Sequence, residues 1–191
     1  MRLTTLLLLA TALFAKTGPL ASNNALADSM PRKLQHIRQN GQLAHPDQRP
    51  TVLTEAEVNA YFAAGRVKLP AGVQSVILHG APGVITGDAR VDFDRLKQGG
   101  RNSSNPLLSI FSGIHDVEVV ADARGAGGIG YVQVRSVSLD GIQVPNLVLQ
   151  LFVDKYLKPK YPNLGLNSTF RLPDKIDIAI VGSHQVTITQ K

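Results

Sequence analysis

Residues 115–139 constrain the fold of this chain more than any other stretch. From His115 to Arg124, Val117, Val119, Ala121 and Ala123 alternate with Asp116, Glu118, Asp122 and Arg124. After a glycine-rich break, Tyr131, Val132, Gln133, Val134, Arg135, Ser136 and Val137 form a second β-branched and aromatic run with the same alternation. A period of two puts one set of side chains on each face of a half-buried strand, so two such runs in succession predict an antiparallel hairpin. The break itself, within "DARGAGGIGYVQV" (122–134), holds Gly125, Gly127 and Gly130 in the spacing G-x-G-x-x-G. That spacing cradles a dinucleotide only where a strand enters it and a helix leaves it, because the helix N-terminus supplies the N–H groups that hold phosphate. Here a strand leaves it. The glycines therefore read as a turn, where positive φ costs them nothing, and nucleotide chemistry is excluded at this loop.

The same logic places the other elements. Val73–His79 and Val84–Phe93 flank Gly80-Ala81-Pro82-Gly83 as a hairpin. Tyr131–Leu139 turns at Asp140-Gly141 into Ile142–Val144 and stops at Pro145, and Lys175–Val181 pairs with Gln185–Gln190 around Gly182-Ser183. One helix starts at "LTEAEVNAYF": Thr54 and Glu57 make a capping box, Leu53 and Val58 a hydrophobic staple, and Val58, Tyr61 and Phe62 a buried stripe before Gly65 ends it. A second, "LVLQLFVDKYLKPK", starts at a capping Asn146 and pairs Leu147 with Leu151 and Val148 with Phe152 along one covered flank. Leu107–Ile114 predicts a third, short helix weakened by Gly113. The expected architecture is α+β: an antiparallel sheet of about seven strands with two or three helices packed on one face, in a single domain over residues 51–191.

The N-terminus reads as a cleavable signal peptide over residues 1–27, which predicts a periplasmic or secreted protein. Arg2 is the basic region, Leu3–Ala15 the apolar one, and Ala25-Leu26-Ala27 the small-x-small cleavage site. The apolar run is too short to span a bilayer, which takes about 20 residues. An anchor left uncleaved is the alternative. Residues 28–50 are polar, with three prolines and two histidines, and predict a flexible linker. The chain has no cysteine, which removes disulfides, thiolate metal sites, a thiol nucleophile and lipid attachment through cysteine. Beyond the leader, 18 basic residues face 14 acidic ones, spread along the chain rather than gathered into a nucleic-acid-binding stripe.

Catalytic patterns are absent from the sequence. His36, His45, His79, His115 and His184 share no helical metal spacing, no serine sits in a G-x-S-x-G elbow, and "KQGGRNSSNP" (97–106) lacks the Gly-Lys-Ser/Thr ending of a phosphate loop. Asp88, Asp92 and Asp94 read as a solvated strand face. No catalytic residue, metal ligand or cofactor is therefore assigned. Lys155, Lys158 and Lys160, interleaved with Tyr156 and Tyr161, suit a helix C-terminal dipole or, as a second reading, an anionic membrane surface.

Taken in order, the exported leader, "LTEAEVNAYF", a glycine-turned hairpin and "VSLDGIQVP" feeding "NLVLQLFVDKYL" resemble the LmeA-like phospholipid-binding envelope proteins and related tubular lipid-binding domains over residues 53–157. The resemblance implies a curved sheet with a helix across its hollow and a lipid or other apolar molecule between them. It nominates Tyr61, Phe62, Leu107, Phe111, Leu147, Leu151 and Phe152 as ligand-binding, with no enzymatic activity. A structural or protein-interaction domain without a ligand is the alternative, and a hydrolase with a spatially assembled site the second. An apolar cavity of roughly 300 Å³ or more separates the first expectation from the others.

Overall fold

The computed structural model describes residues 19–97, 105–162 and 165–191. They form an α+β fold built on one open antiparallel sheet of nine strands. The strands are β1 (Thr51–Thr54), β2 (Val73–Ala81), β3 (Val84–Asp92), β4 (Ile114–Ala126), β5 (Ile129–Leu139), β6 (Ile142–Gln143), β7 (Asn167–Arg171), β8 (Ile176–Gly182) and β9 (Gln185–Gln190). The helices are α1 (Pro19–Gln42), α2 (Glu55–Ala63), α3 (Phe93–Leu96) and α4 (Asn146–Phe152). The seven expected strands are present, and β1 and β7 add to them. Both are short: β1 joins the sheet only through β9, and β7 only through β5.

Strand β4 is the spine. One edge carries β5 from Val117 to Ala126; the other carries β3 as far as Asp122 and then β8 at Arg124 and Gly125. The β8–β9–β1 wing thus continues the sheet where β3 ends, stitched by the Gly83 amide to the Val181 carbonyl at 2.9 Å and the Ala123 amide to the Gly83 carbonyl at 3.0 Å. The glycine motif occupies the β4–β5 hairpin, as its flanking alternation predicts. Gly127 and Gly128 form the two-residue turn with φ of 61° and 76°. Gly125 and Gly130 face each other across the ladder for a different reason: a Cβ on Gly125 would lie 2.8 Å from the Ala179 Cβ, and one on Gly130 2.7 Å from the Phe170 ring.

Residues 28–42 correct the linker expectation: they belong to α1, which packs on the β9 wing. Met30 and Ile37 are buried against Leu53, Ile176 and Ile188, and Asn40 donates to Gln190 at 2.9 Å inside the fold. The apolar stripe of α1 consists of Ala27, Met30, Leu34 and Ile37, and polar residues make up most of the remaining helix from Asp28 onward. A half-buried ion pair fixes the helix. The Lys33 ammonium lies 2.7 Å from Glu57, whose carboxylate also accepts from the Ser29 hydroxyl at 2.5 Å and the Thr54 amide at 2.9 Å. Burial alone would push the Glu57 carboxyl up; these donors outweigh it and hold its pKa at about 2.

The capping box and staple before α2 are present as read from the sequence. Two helix expectations are corrected. Leu107–Ile114 contains only a 3₁₀ turn, Pro106–Leu108, because Gly113 takes positive φ and β4 begins at Ile114. Asn146 does not cap α4; the cap position is Pro145, whose carbonyl accepts from the Val148 and Leu149 amides. Beyond Phe152 the helix widens into one π turn, Val153–Leu157, closed by the Lys158 amide to the Val153 carbonyl at 2.9 Å.

Helices α2 and α4 lie over the same face of the sheet. On β3, Ile85 and Val91 are six residues apart and so point to one side. Ile85 borders Val58 of α2, whereas Val91 joins the cluster around Val148, Leu149 and Phe152 of α4.

Candidate functional site: an apolar cavity beneath α4

The inward side chains of β4 and β5 do not meet α4 everywhere. Val117 and Val119 of β4 and Val132, Val134 and Val137 of β5 form the sheet wall, and Leu149, Phe152, Val153 and Leu157 form the helix wall. The space between them is about 840 Å³. One end is closed by an aromatic cluster. Phe111, the most deeply buried side chain at 2% exposure, lies 4.1 Å from Phe152 between ring centroids, and Phe93 stands 5.3 Å and 5.5 Å from the same two rings. Such tilted and edge-on pairs hold a wall rigid without polar groups. The π turn puts Val153 and Leu157 on the same wall as Phe152, which an α-helical spacing of four and five residues would spread further round the helix.

Polar groups in the lining come from one stretch of chain. Lys160 and Tyr161 follow the π turn, and Ser168 lies on β7 beyond Gly165 and Leu166. Among the described lining residues Lys160 is the one that carries a charge. Its ammonium donates to the Leu96 carbonyl of α3 at 2.8 Å.

The residues nominated from the sequence divide. Phe111 and Phe152 line the cavity. Leu151 packs against the same core from outside the lining, while Leu107 and Leu147 are exposed at 48% and 68%, so the covered flank of α4 is the Val148–Phe152 row and not the Leu147–Leu151 row. Tyr61 belongs to the α1–α2 cluster. Phe62 borders a separate groove between α2 and β2, together with Leu26, Ala27, Val67 and Ile77. Ala25 and Ala27 lie within α1, Ala27 buried. Of the three lysines, Lys158 pairs with Asp154 at 2.5 Å, Lys155 sits 5.6 Å over the Tyr156 ring, and Lys160 alone reaches the cavity. The valines of β4 and β5 were legible as one strand face but not as a cavity wall, because alternation does not reveal whether the facing helix fills the space above it.

Polar clusters elsewhere are accounted for by structure. Glu55 binds the Gly80 amide at 2.9 Å and faces His79 and His184 at 3.1 Å and 2.9 Å. The amide first, and then the two imidazoles, hold its pKa at about 2, which makes it a weak base near neutrality. His115 is held by Asp140 at 2.6 Å and the Ser112 carbonyl at 2.7 Å, and the Asp140 carboxylate raises its pKa. Asp92 caps α3 by accepting from the Arg95 amide, and Asp94 pairs with Lys97. No group of three or more His, Asp or Glu among the described residues is placed to hold a metal ion, and no helix there is long and apolar enough to cross a membrane. Comparison with protein-family models, curated proteins and solved structures found no match.

Proposed function

We propose that this protein is an exported, non-catalytic binder of a lipid or comparable apolar molecule, which it holds between the sheet and α4. The single observation that carries the reading is the 840 Å³ cavity with an almost wholly apolar lining, a volume in the range of small-molecule sites and well above packing voids. Its place under the helix that follows "VSLDGIQVP" agrees with the resemblance to LmeA-like proteins. Export rests on the leader, and Pro31 supports cleavage after Ala27. In the full chain Pro31 lies inside α1, where it lacks a donor and crowds the preceding turn. With Asp28 as the first residue, the same proline falls in the first turn, where a missing N–H costs nothing.

The test is native mass spectrometry on folded protein expressed with its leader. The parent is expected to retain lipid. Val119→Phe grows a ring into the cavity from the sheet wall and is expected to lose the lipid with little change in melting temperature, whereas Leu151→Ala, outside the lining, keeps it. A folded parent without lipid, or a Val119→Phe variant with an unchanged load, overturns the reading.

A further inference from the structure

The face of the sheet that turns away from α4 carries a second recess, and its side chains are polar. On β4, Asp122 and Arg124 alternate with the buried Ala121 and Ala123; on β5, Tyr131 and Gln133 alternate with Val132 and Val134 of the cavity wall; on β7, Asn167 and Thr169 alternate with Ser168 and Phe170 of the cavity lining. The strand register sets these outward side chains in two rows, Asp122–Gln133–Asn167 and Arg124–Tyr131–Thr169. The recess takes in all six of these residues, the three that lie between them on the strands, and Gly83 of the β2–β3 turn, and measures about 650 Å³, within the range of small-molecule sites. We propose that it is a carbohydrate-binding site, in which a short oligosaccharide lies against Tyr131 and is held through its hydroxyls by Gln133, Asn167 and Asp122. The proposal concerns the opposite face from the apolar cavity and does not rest on the function proposed above.

Three observations lead there. First, the side chains of Gln133, Asn167 and Thr169 bond to no other group among the described residues, so their donors and acceptors are open to a ligand. Each of these side chains both donates and accepts, which matches a sugar hydroxyl. Second, the groups beside them are held in place. The β4–β5 register slips by one residue at Arg135, a bulge that re-aims a side chain, and Arg135 grips the Asp122 carboxylate through two nitrogens, Nε at 2.8 Å. The Arg124 guanidinium stands 5.0 Å over the Tyr131 ring and orients it, while 38% of Tyr131 stays exposed. Third, the mixture of groups selects among ligands. A hydrocarbon would strip water from the two amides and the carboxylate without replacing their hydrogen bonds, and a simple anion would meet Asp122. A sugar uses all of them: its hydroxyls pair with the amides and the carboxylate, and its C–H groups, weakly positive, suit the negative face of an aromatic ring. Neighbouring strands lie about 4.8 Å apart, so each row reaches about 10 Å across the sheet, enough for a chain of linked rings rather than a single one.

The experiment titrates the folded protein by calorimetry with cellotriose, maltotriose and triacetylchitotriose, and with inorganic phosphate and a short oligothymidylate as anions. At least one trisaccharide is expected to bind, and more tightly than either anion. Tyr131→Ala, and separately Gln133→Ala combined with Asn167→Ala, are expected to weaken that sugar about tenfold or more, whereas Tyr131→Phe keeps the ring and most of the affinity. All three positions are exposed, and a melting curve for each variant shows that it is folded. Val119→Phe, which fills the apolar cavity on the other face, is expected to leave sugar binding unchanged, so the two sites stand or fall separately. A parent that binds none of the trisaccharides, one that binds phosphate or the oligothymidylate more tightly than any sugar, or a sugar affinity that survives in folded Tyr131→Ala overturns the proposal.

Discussion

Glu57→Gln is the sharpest test of how this domain is held together. The Glu57 side chain is 8% exposed and joins three elements: Ser29 and Lys33 from α1, Thr54 from β1, and α2 itself. A carboxyl that titrates at 4.5 when unfolded and at about 2 when folded contributes roughly 3 kcal/mol, at 1.36 kcal/mol per pH unit. Because the folded value is the lower one, that contribution is complete above pH 4.5 and is lost as the pH falls toward 2. Glutamine can still serve the capping box, so the exchange removes the charge more than the cap. It leaves Lys33 without its counterion but still bonded to the Val52 carbonyl at 2.7 Å, and at 33% exposure it reaches water. Loss of one partner of a fully buried pair costs about 3–5 kcal/mol, and water access at Lys33 lowers the expected cost to about 2–3 kcal/mol at pH 7. Urea unfolding followed by circular dichroism from pH 7 to pH 3 reads both effects. The two stability curves are expected to converge as the pH falls below 4.5. Glu55 is also held near pH 2 and declines in both proteins, so the difference between the curves isolates Glu57. Curves that stay parallel down to pH 3 would refute the account of the network.

The hairpin glycines and the first helix give further tests. Gly125→Ala sets a methyl against Ala179 and Leu172 and is expected to cost about 1–3 kcal/mol, more than Gly127→Ala, which meets open space and costs about 1 kcal/mol through its φ of 61°; thermal melts in the reverse order would contradict the assigned register. Titration of the parent with NAD or ATP is expected to show no heat of binding, since the loop is a turn. A chain beginning at Asp28 is expected to keep a cooperative melt, whereas one beginning at Leu43 loses Met30, Ile37 and Asn40 from the interior and is expected to lose near-ultraviolet dichroism; a folded product from the shorter chain would show that α1 is dispensable.

How far the sequence could be read depends on the range of the interactions that decide each element. The hairpins at Gly127-Gly128 and Asp140-Gly141 are written locally, in alternation and in residues that accept positive φ, and so is the capping box of Thr54 and Glu57. Helix α1 was not, because its few apolar residues become a core stripe only against Ile176 and Ile188, some 140 residues further on. Phe152 and Phe111 were legible as apolar residues and line the cavity, yet Leu147 and Leu107 carry the same apolar signal and face solvent. Whether an apolar residue is covered is settled by which elements stop short of it.

The sequence by itself determined that this chain makes an antiparallel sheet with a helix after Pro145, and that its glycine motif joins two strands rather than a strand and a helix. These follow from side-chain period and backbone sterics, which act within a few residues. Only the tertiary structure decided that β3 gives way to β8 along the edge of β4, that Glu57 clamps α1, and that about 840 Å³ stays open beneath α4 with Lys160 in its lining. A cavity is a mismatch of shape between surfaces that meet from distant parts of the chain, and no local pattern encodes the distance at which they stop.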